Sequence, residues 1–431
     1  MNNLWNVGVA RRDITSQEPI ALAGWGGERI STGTLHPIWA KAIAMQDEQG
    51  TTAVLVTTDL LGLSRDMSEE LASRASEKFG LQREQLIINS SHNHAGPVTG
   101  DLLHLYYELG SPELETIERY TAWLLDEIEA VIGEALNTLE PATLTYEPGL
   151  CGFGVNRRRA HGKAYRELPQ VVDHDVPVLA VRDGNQNLRA VVFGYACHPT
   201  SYAIPKLCGD WPGFAQIEIE DAFPGSTALF VAGCGGDINP FPRFGRYHEE
   251  LPQMTGKLLA AAVANVLERD MQPIESNLSL QFEEVSLDLE PAPSKEELLA
   301  MRDAARAEYG ESIRTREVDL QLSHLEEGPL TQTVPFPIHV WQIDTLRFIA
   351  LSGEPVVDYS LRFKGQYGFS NTWVAGYCNE LTAYIPSLRV RREGGYEGVS
   401  GMMEYGWPSA FAESIEERIA SSVDELINKG N

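Results

Sequence analysis

The sequence predicts an α/β fold built in layers, and three observations support this. Strand-like and helix-like segments are mixed along the whole chain rather than segregated into halves. A length of 431 residues with 43% hydrophobic content suffices for a substantial core. No internal repeat or low-complexity tract stands out.

In chain order, residues 53–58 (Ala-Val-Leu-Val-Thr-Thr) and 86–88 (Leu-Ile-Ile) are continuous apolar runs of the kind that form buried strands. Residues 65–79 between them, rich in Glu, Ala and Ser, predict a helix. Residues 114–139 carry apolar side chains at helical spacing and predict a long one. Strands return at 178–181, 190–195 and 228–232, and residues 249–267 predict a helix with Pro252 near its start. Composition shifts over 285–333, which is charged and polar and is expected to be a helical insertion. The apolar pattern resumes at 338–343 and 348–351, a hairpin, and a helix over about 410–427 closes the chain.

The formal charge of −27 speaks against nucleic acid or an anionic membrane as partner, because phosphate binding needs clustered Lys and Arg. The two arginine groups, Arg157-Arg158-Arg159 and Arg389 with Arg391 and Arg392, are expected to be solvated surface patches. Five scattered cysteines without Cys-x-x-Cys spacing suit reduced thiols. No signal peptide and no apolar stretch of membrane-spanning length are visible. The expectation is a soluble, cytoplasmic protein.

Chemistry concentrates where apolar runs end in Gly or Pro. Ser90-Ser91-His92-Asn93-His94-Ala95-Gly96-Pro97 follows the 86–88 run, and in an extended backbone His92 and His94 would share a face. Such a pair can hold a metal or divide ligand and acid/base roles, although a chance pair of loop histidines also fits. His198 stands at the end of the 190–195 strand, before Pro199. Gly233-Cys234-Gly235-Gly236-Asp237-Ile238-Asn239-Pro240 offers backbone N–H groups to an oxyanion, or is an ordinary tight turn. Ser352-Gly353-Glu354-Pro355 places one carboxylate at a strand end, and residues 376–398 contain Tyr384 and Tyr396. Cys234 is a competing nucleophile candidate without an identifiable base, and no Gly-x-Ser-x-Gly elbow exists.

Taken together, these segments resemble the catalytic N-terminal domain of the neutral/alkaline, non-lysosomal ceramidases. The resemblance runs in order through Val9-Ala10-Arg11-Arg12-Asp13-Ile14-Thr15, Ala23-Gly24-Trp25-Gly26-Gly27, Ser91 to Pro97, Asn156-Arg157, His198, Gly236 to Pro240, Gly353-Glu354 and the Tyr384 to Tyr396 region. It implies one large domain over 1–431, a layered sandwich of mixed β-sheets flanked by helices. It further implies a catalytic zinc held by His92, His198, Glu354 and Tyr384. His94 matches a residue beside the zinc-bound water, and Arg157 and Tyr396 match groups that face the substrate carbonyl. Two departures matter. Asn239 replaces the family's serine, which excludes a route through that hydroxyl but leaves a hydrogen bond to substrate, and the chain ends before the family's C-terminal β-sandwich domain would begin.

The resulting expectation is a zinc-dependent hydrolase that cleaves a small polar amide, or a related acyl or cyclic substrate. A true ceramidase acting on N-acyl sphingosine and a non-catalytic zinc-containing binding protein are the alternatives. A TIM-barrel amidohydrolase also uses a His-x-His pair, but there the pair would sit at the first barrel strand with more downstream histidines than the single well-placed His198.

Overall fold

The structure, a computed structural model, describes residues 5–27, 29–160, 171–201, 204–243 and 250–430. Its largest element is a nine-stranded sheet. Eight strands lie in the order Leu86–Ser90, Thr52–Thr58, Trp39–Gln46, Trp5–Asp13, Glu140–Leu150, Asp175–Arg182, Leu188–Tyr195 and Thr227–Ala232, and Gln272–Ile274 pairs with Glu140–Leu150. The inner pairings are antiparallel, whereas the outermost pair at each edge is parallel. A second sheet orders Leu278–Asp288, Thr333–Ile343, Leu346–Leu351 and Thr372–Ala375, and its last pair is also parallel.

Side-chain alternation sorts the strands into layers. Val54 and Val56 face a core that includes Leu124, Ile128 and Ile132 of the Ser111–Asn137 helix. Leu55 turns the other way and joins Trp341, Phe348 and Trp373 of the second sheet. On that sheet's outer face, Phe336, Ile338 and Val340 pack with Ile419, Val423 and Leu426 of the Ile415–Gly430 helix. The result is helix, sheet, sheet, helix: the predicted layered α/β sandwich with mixed sheets. Gly194 lets the two sheets close, since a Cβ there would sit 2.9 Å from the Trp373 indole.

The expected helices occur at Arg65–Phe79, Ser111–Asn137, Leu251–Leu267 and Ile415–Gly430, while Glu249, an expected helix start, lies outside the described residues. Ser64 caps the first of them and Gly80 ends it in left-handed backbone. Strands at Trp5–Asp13, Trp39–Gln46 and Glu140–Leu150 lack a clean sequence signal. Lys41 interrupts the second, yet it is buried, donating to Glu220 Oε1 and the Ala228 carbonyl at 2.8 Å each. Pro141 and Pro148 disguise the third. In the charged stretch, helices Lys295–Tyr309 and Ile313–Glu327 form a hairpin between the second sheet's first two strands. Among the described residues no helix is long and apolar enough to cross a membrane.

The two edges of the large sheet meet through one side chain. Asn89, fully buried near the end of one edge strand, accepts from Ala232 N–H at 2.9 Å on the other edge. It also donates to the Ala232 carbonyl at 3.4 Å and to the Gly376 carbonyl at 2.7 Å, just past the last strand of the second sheet. Asn89→Ala would strip partners from buried backbone groups, so a loss of about 2–4 kcal/mol is expected in urea unfolding. A loss below about 1 kcal/mol would show that the edges close without it.

Candidate metal centre

The parallel strand pairs of the two larger sheets direct their C-terminal ends toward one place, the position at which mixed and parallel sheets collect functional loops. From the 86–90 edge, Ser91 N–H still bonds the Thr58 carbonyl, and His92 then turns into left-handed backbone with φ 62. The expected extended, same-face arrangement of His92 and His94 is therefore not what brings them together. The turn folds the chain back, leaving His94 Nε2 3.3 Å from His92 Nε2. His198 follows the Leu188–Tyr195 strand, its N–H held by the Ile238 carbonyl.

Each imidazole is oriented by a backbone carbonyl. His92 Nδ1 lies 2.9 Å from Leu61 O, His94 Nδ1 3.0 Å from Gly24 O, and His198 Nδ1 2.6 Å from Gly235 O. A carbonyl only accepts, so each Nδ1 carries the proton and each Nε2 turns a lone pair inward. The three ligand nitrogens lie within 4.8 Å of one another. Glu354, in a two-residue strand parallel to Tyr384–Ile385, brings Oε2 to 3.1 Å from both His92 Nε2 and His198 Nε2.

Among the described residues neither Glu354 Oε2 nor His198 Nε2 has a hydrogen-bond partner, although both are buried. Lone pairs facing one another in a low-dielectric interior are what a cation resolves, so this donor set fits a metal ion. Burial by itself would raise the Glu354 carboxyl, but His92 and His198 outweigh it and hold it well below the usual range. Burial lowers His198 to about 4 and takes His94 well below its usual value. Burial thus favours the neutral form of His198 and His94, in which a ring nitrogen has a lone pair for a metal or a proton.

The remaining predicted residues line one side. The Tyr384 ring lies nearly parallel to that of His198 at 6.4 Å and 5.1 Å from that of Tyr396. The Arg157 guanidinium sits over both tyrosines at 5.4 and 5.8 Å. Its Nε donates to Glu397 at 2.6 Å, and its Nη2 is buried with no hydrogen-bond partner among the described residues. Tyr396 is partly exposed and donates to Glu404 at 2.6 Å. Asn239 follows Ile238, whose carbonyl holds His198, and its Oδ1 is buried with no hydrogen-bond partner among the described residues.

Two expectations are corrected. Arg157 and Arg158 are not a solvated patch, because both grip the buried carboxylate of Glu397; the Arg159 side chain lies outside those described. In the second arginine group, Arg389 pairs with Asp358 and Glu393 and Arg391 with Glu290, whereas Arg392 and its partner Glu413 are exposed. Cys234 is fully buried and its thiol is pushed well up by that burial, which removes the thiolate a nucleophile needs.

Sequence reasoning missed Tyr405, whose hydroxyl donates to Glu354 Oε1, and Tyr377, stacked on His92 at 4.5 Å. It also missed the supporting roles of Glu397 and Asp237. The latter accepts from Val357 N–H and Asn156 and is raised to about 6, chiefly by burial. Adjacency to Tyr396 was the one available signal for Glu397; the two tyrosines carried none.

The family model described as neutral/alkaline non-lysosomal ceramidase, N-terminal, matches residues 5–268, more than half of the chain. The chain belongs to the neutral/alkaline non-lysosomal ceramidase family. That match spans the histidines, Arg157 and Asn239 but stops short of Glu354. Neutral ceramidase A of Dictyostelium discoideum is 25% identical over 264 residues, 56% of this chain and 36% of the relative. Neutral ceramidase of Drosophila melanogaster is 23% identical over 256 residues, 55% of this chain and 36% of the relative. The matched segments thus span little more than a third of these relatives' length. Neutral ceramidase from Pseudomonas aeruginosa shares the fold at a TM-score of 0.76 and 17% identity, over 99% of this chain and 74% of that one.

Gly24 is needed where it stands: φ is +72, and a Cβ would fall 2.2 Å from His94 Nδ1. A crystal structure of Gly24→Ala is expected to show the His94 imidazole displaced by about 1 Å or more, with backbone strain of about 1–3 kcal/mol lowering stability. An unmoved ring would contradict the close approach.

Proposed function

We propose that this ceramidase-family chain is a zinc-dependent hydrolase that cleaves the amide bond of a small, polar substrate. The observation that carries the reading is the buried, unsatisfied set of Glu354 Oε2 and His198 Nε2 facing His92. Nitrogen and oxygen donors of this kind suit zinc, and His92, His198 and Glu354, with Tyr384 beside them, are the residues that would hold it. Bound there, zinc would supply Lewis-acid polarisation of the carbonyl and bring the pKa of a water toward about 7.

The chain's own groups divide the remaining work. His94, protonated at Nδ1 by its bond to Gly24, presents Nε2 to take a proton and later return it to the leaving amine. Arg157 Nη2, buried and unpaired among the described residues, is the donor for the developing oxyanion, with Tyr396 on the open side. Asn239 supplies no nucleophile and is assigned a hydrogen bond to substrate.

A cavity of about 210 Å³ beside Tyr405 has a mixed lining, with Arg65, Asp101, Glu380 and Glu404 set among Leu102, Leu103, Leu381 and Trp407. A second reading, hydrolysis of N-acyl sphingosine, is supported by the family and by the names of its relatives.

Purified protein is expected to carry about one zinc per chain, with His198→Ala and Glu354→Ala losing more than about 100-fold in zinc affinity, beyond the usual outer-shell loss. Activity in metal-free protein would sink the reading. A screen of zinc-loaded protein on small polar amides beside ceramides separates the two substrates. Faster turnover of ceramide would favour the second.

A further inference from the structure

The helical hairpin of residues 295–327 carries none of the residues assigned to the reaction, yet a buried side chain ties it to the metal centre. Gln321 lies in the Ile313–Glu327 helix, otherwise rich in charge, and is fully buried. Its Nε2 donates to the Gly406 carbonyl at 2.8 Å. Gly406 ends the Ser400–Tyr405 turn in left-handed backbone, φ 82, and directly follows Tyr405. Tyr405 in turn donates its hydroxyl to Glu354 Oε1. With that oxygen engaged, Oε2 is the one presented to His92 and His198.

We propose that Gln321 is a positioning residue for the metal centre, acting through Gly406 and Tyr405 to fix the orientation of the Glu354 carboxylate. The inference rests on the metal-centre reading above. Two further features support it. Met403 of the same turn packs against Leu298, Val318 and Leu330, so the hairpin grips the turn on its apolar side as well. Gln321 Oε1 is buried with no hydrogen-bond partner among the described residues, a cost retained although an apolar side chain would avoid it. An uncharged donor also fits here, since Glu317 on the same helix is buried near Glu404 and raised to about 7, mainly by burial and then by that neighbour. Ligand orientation by outer partners is a general determinant of metal affinity.

The test compares the full chain with Gln321→Met, Tyr405→Phe and the double variant. Zinc affinity is measured by chelator competition, the visible absorption of bound Co²⁺ reports ligand geometry, and thermal unfolding of the metal-free forms serves as the folding control. Tyr405→Phe is expected to weaken zinc about 10–100-fold, and Gln321→Met about threefold or more in the same direction, with the Co²⁺ bands shifted in both. Because Gln321 acts through Tyr405, the double variant should bind no more weakly than Tyr405→Phe alone.

Gln321→Glu, which keeps the volume but replaces the donor with an acceptor, is the second variant should Gln321→Met fail to fold, and it is expected to weaken zinc equally. Unchanged affinity and spectra in the Gln321 variants, or fully additive losses in the double variant, would overturn the relay while leaving the metal centre intact. Failure of the unaltered chain to bind zinc would overturn both.

Discussion

The site depends on how the two edges of the large sheet are closed, by Asn89 and by the 376–379 backbone, which bonds Ala232 on one edge and Ile88 and Ser90 on the other. A mixed sheet has two open edges, and here each ends in a parallel pair whose C-terminal ends point the same way. Asn89 links Leu86–Ser90 to Thr227–Ala232 in both hydrogen-bond directions and reaches Gly376 of the second sheet as well. In a buried setting such bonds are strong because there is no water to replace them. The loops leaving those ends are thereby forced together: 91–94 from one edge, 233–239 from the other, and Glu354 and Tyr377 from the second sheet. The turn at 233–239 in turn receives His198, through Ile238 O to its N–H and Gly235 O to its ring.

Convergence alone would be destabilising. A carboxylate oxygen and inward-facing imidazole lone pairs, buried at 3.1 Å, repel one another unless a cation lies among them. The fold holds them there by securing each donor from behind: Leu61, Gly24 and Gly235 carbonyls on the imidazoles, and the Tyr405 hydroxyl on Glu354. A metal ion held there would couple its binding to folding stability, since it would replace repulsion with attraction.

Much of this was legible in the sequence and some was not, for identifiable reasons. Pure apolar runs such as 53–58 announce themselves, because local pattern and burial coincide. Trp39–Gln46 and Glu140–Leu150 do not, since a buried lysine paired with Glu220 and prolines within a strand break the alternation. At the site, His92 and His198 could be read because each follows a strand and precedes a breaker. The backbone inversion at His92 could not, as a non-glycine residue with positive φ leaves no composition mark. Glu354 reads alone as an ordinary turn glutamate, and only the ordered resemblance to the ceramidases distinguished it. Tyr405 and Gln321 reach the centre through tertiary contacts over 51 and 85 residues, a separation no local pattern encodes.

X-ray absorption at the zinc edge of the metal-loaded chain tests most directly whether His92, His198 and Glu354 form one metal centre within this ceramidase-family fold. A shell of nitrogen and oxygen ligands at about 2.0–2.1 Å, with the outer scattering of two or more imidazoles and none from sulfur, is the predicted result. A sulfur shell at about 2.3 Å, or a spectrum without imidazole scattering, would contradict it.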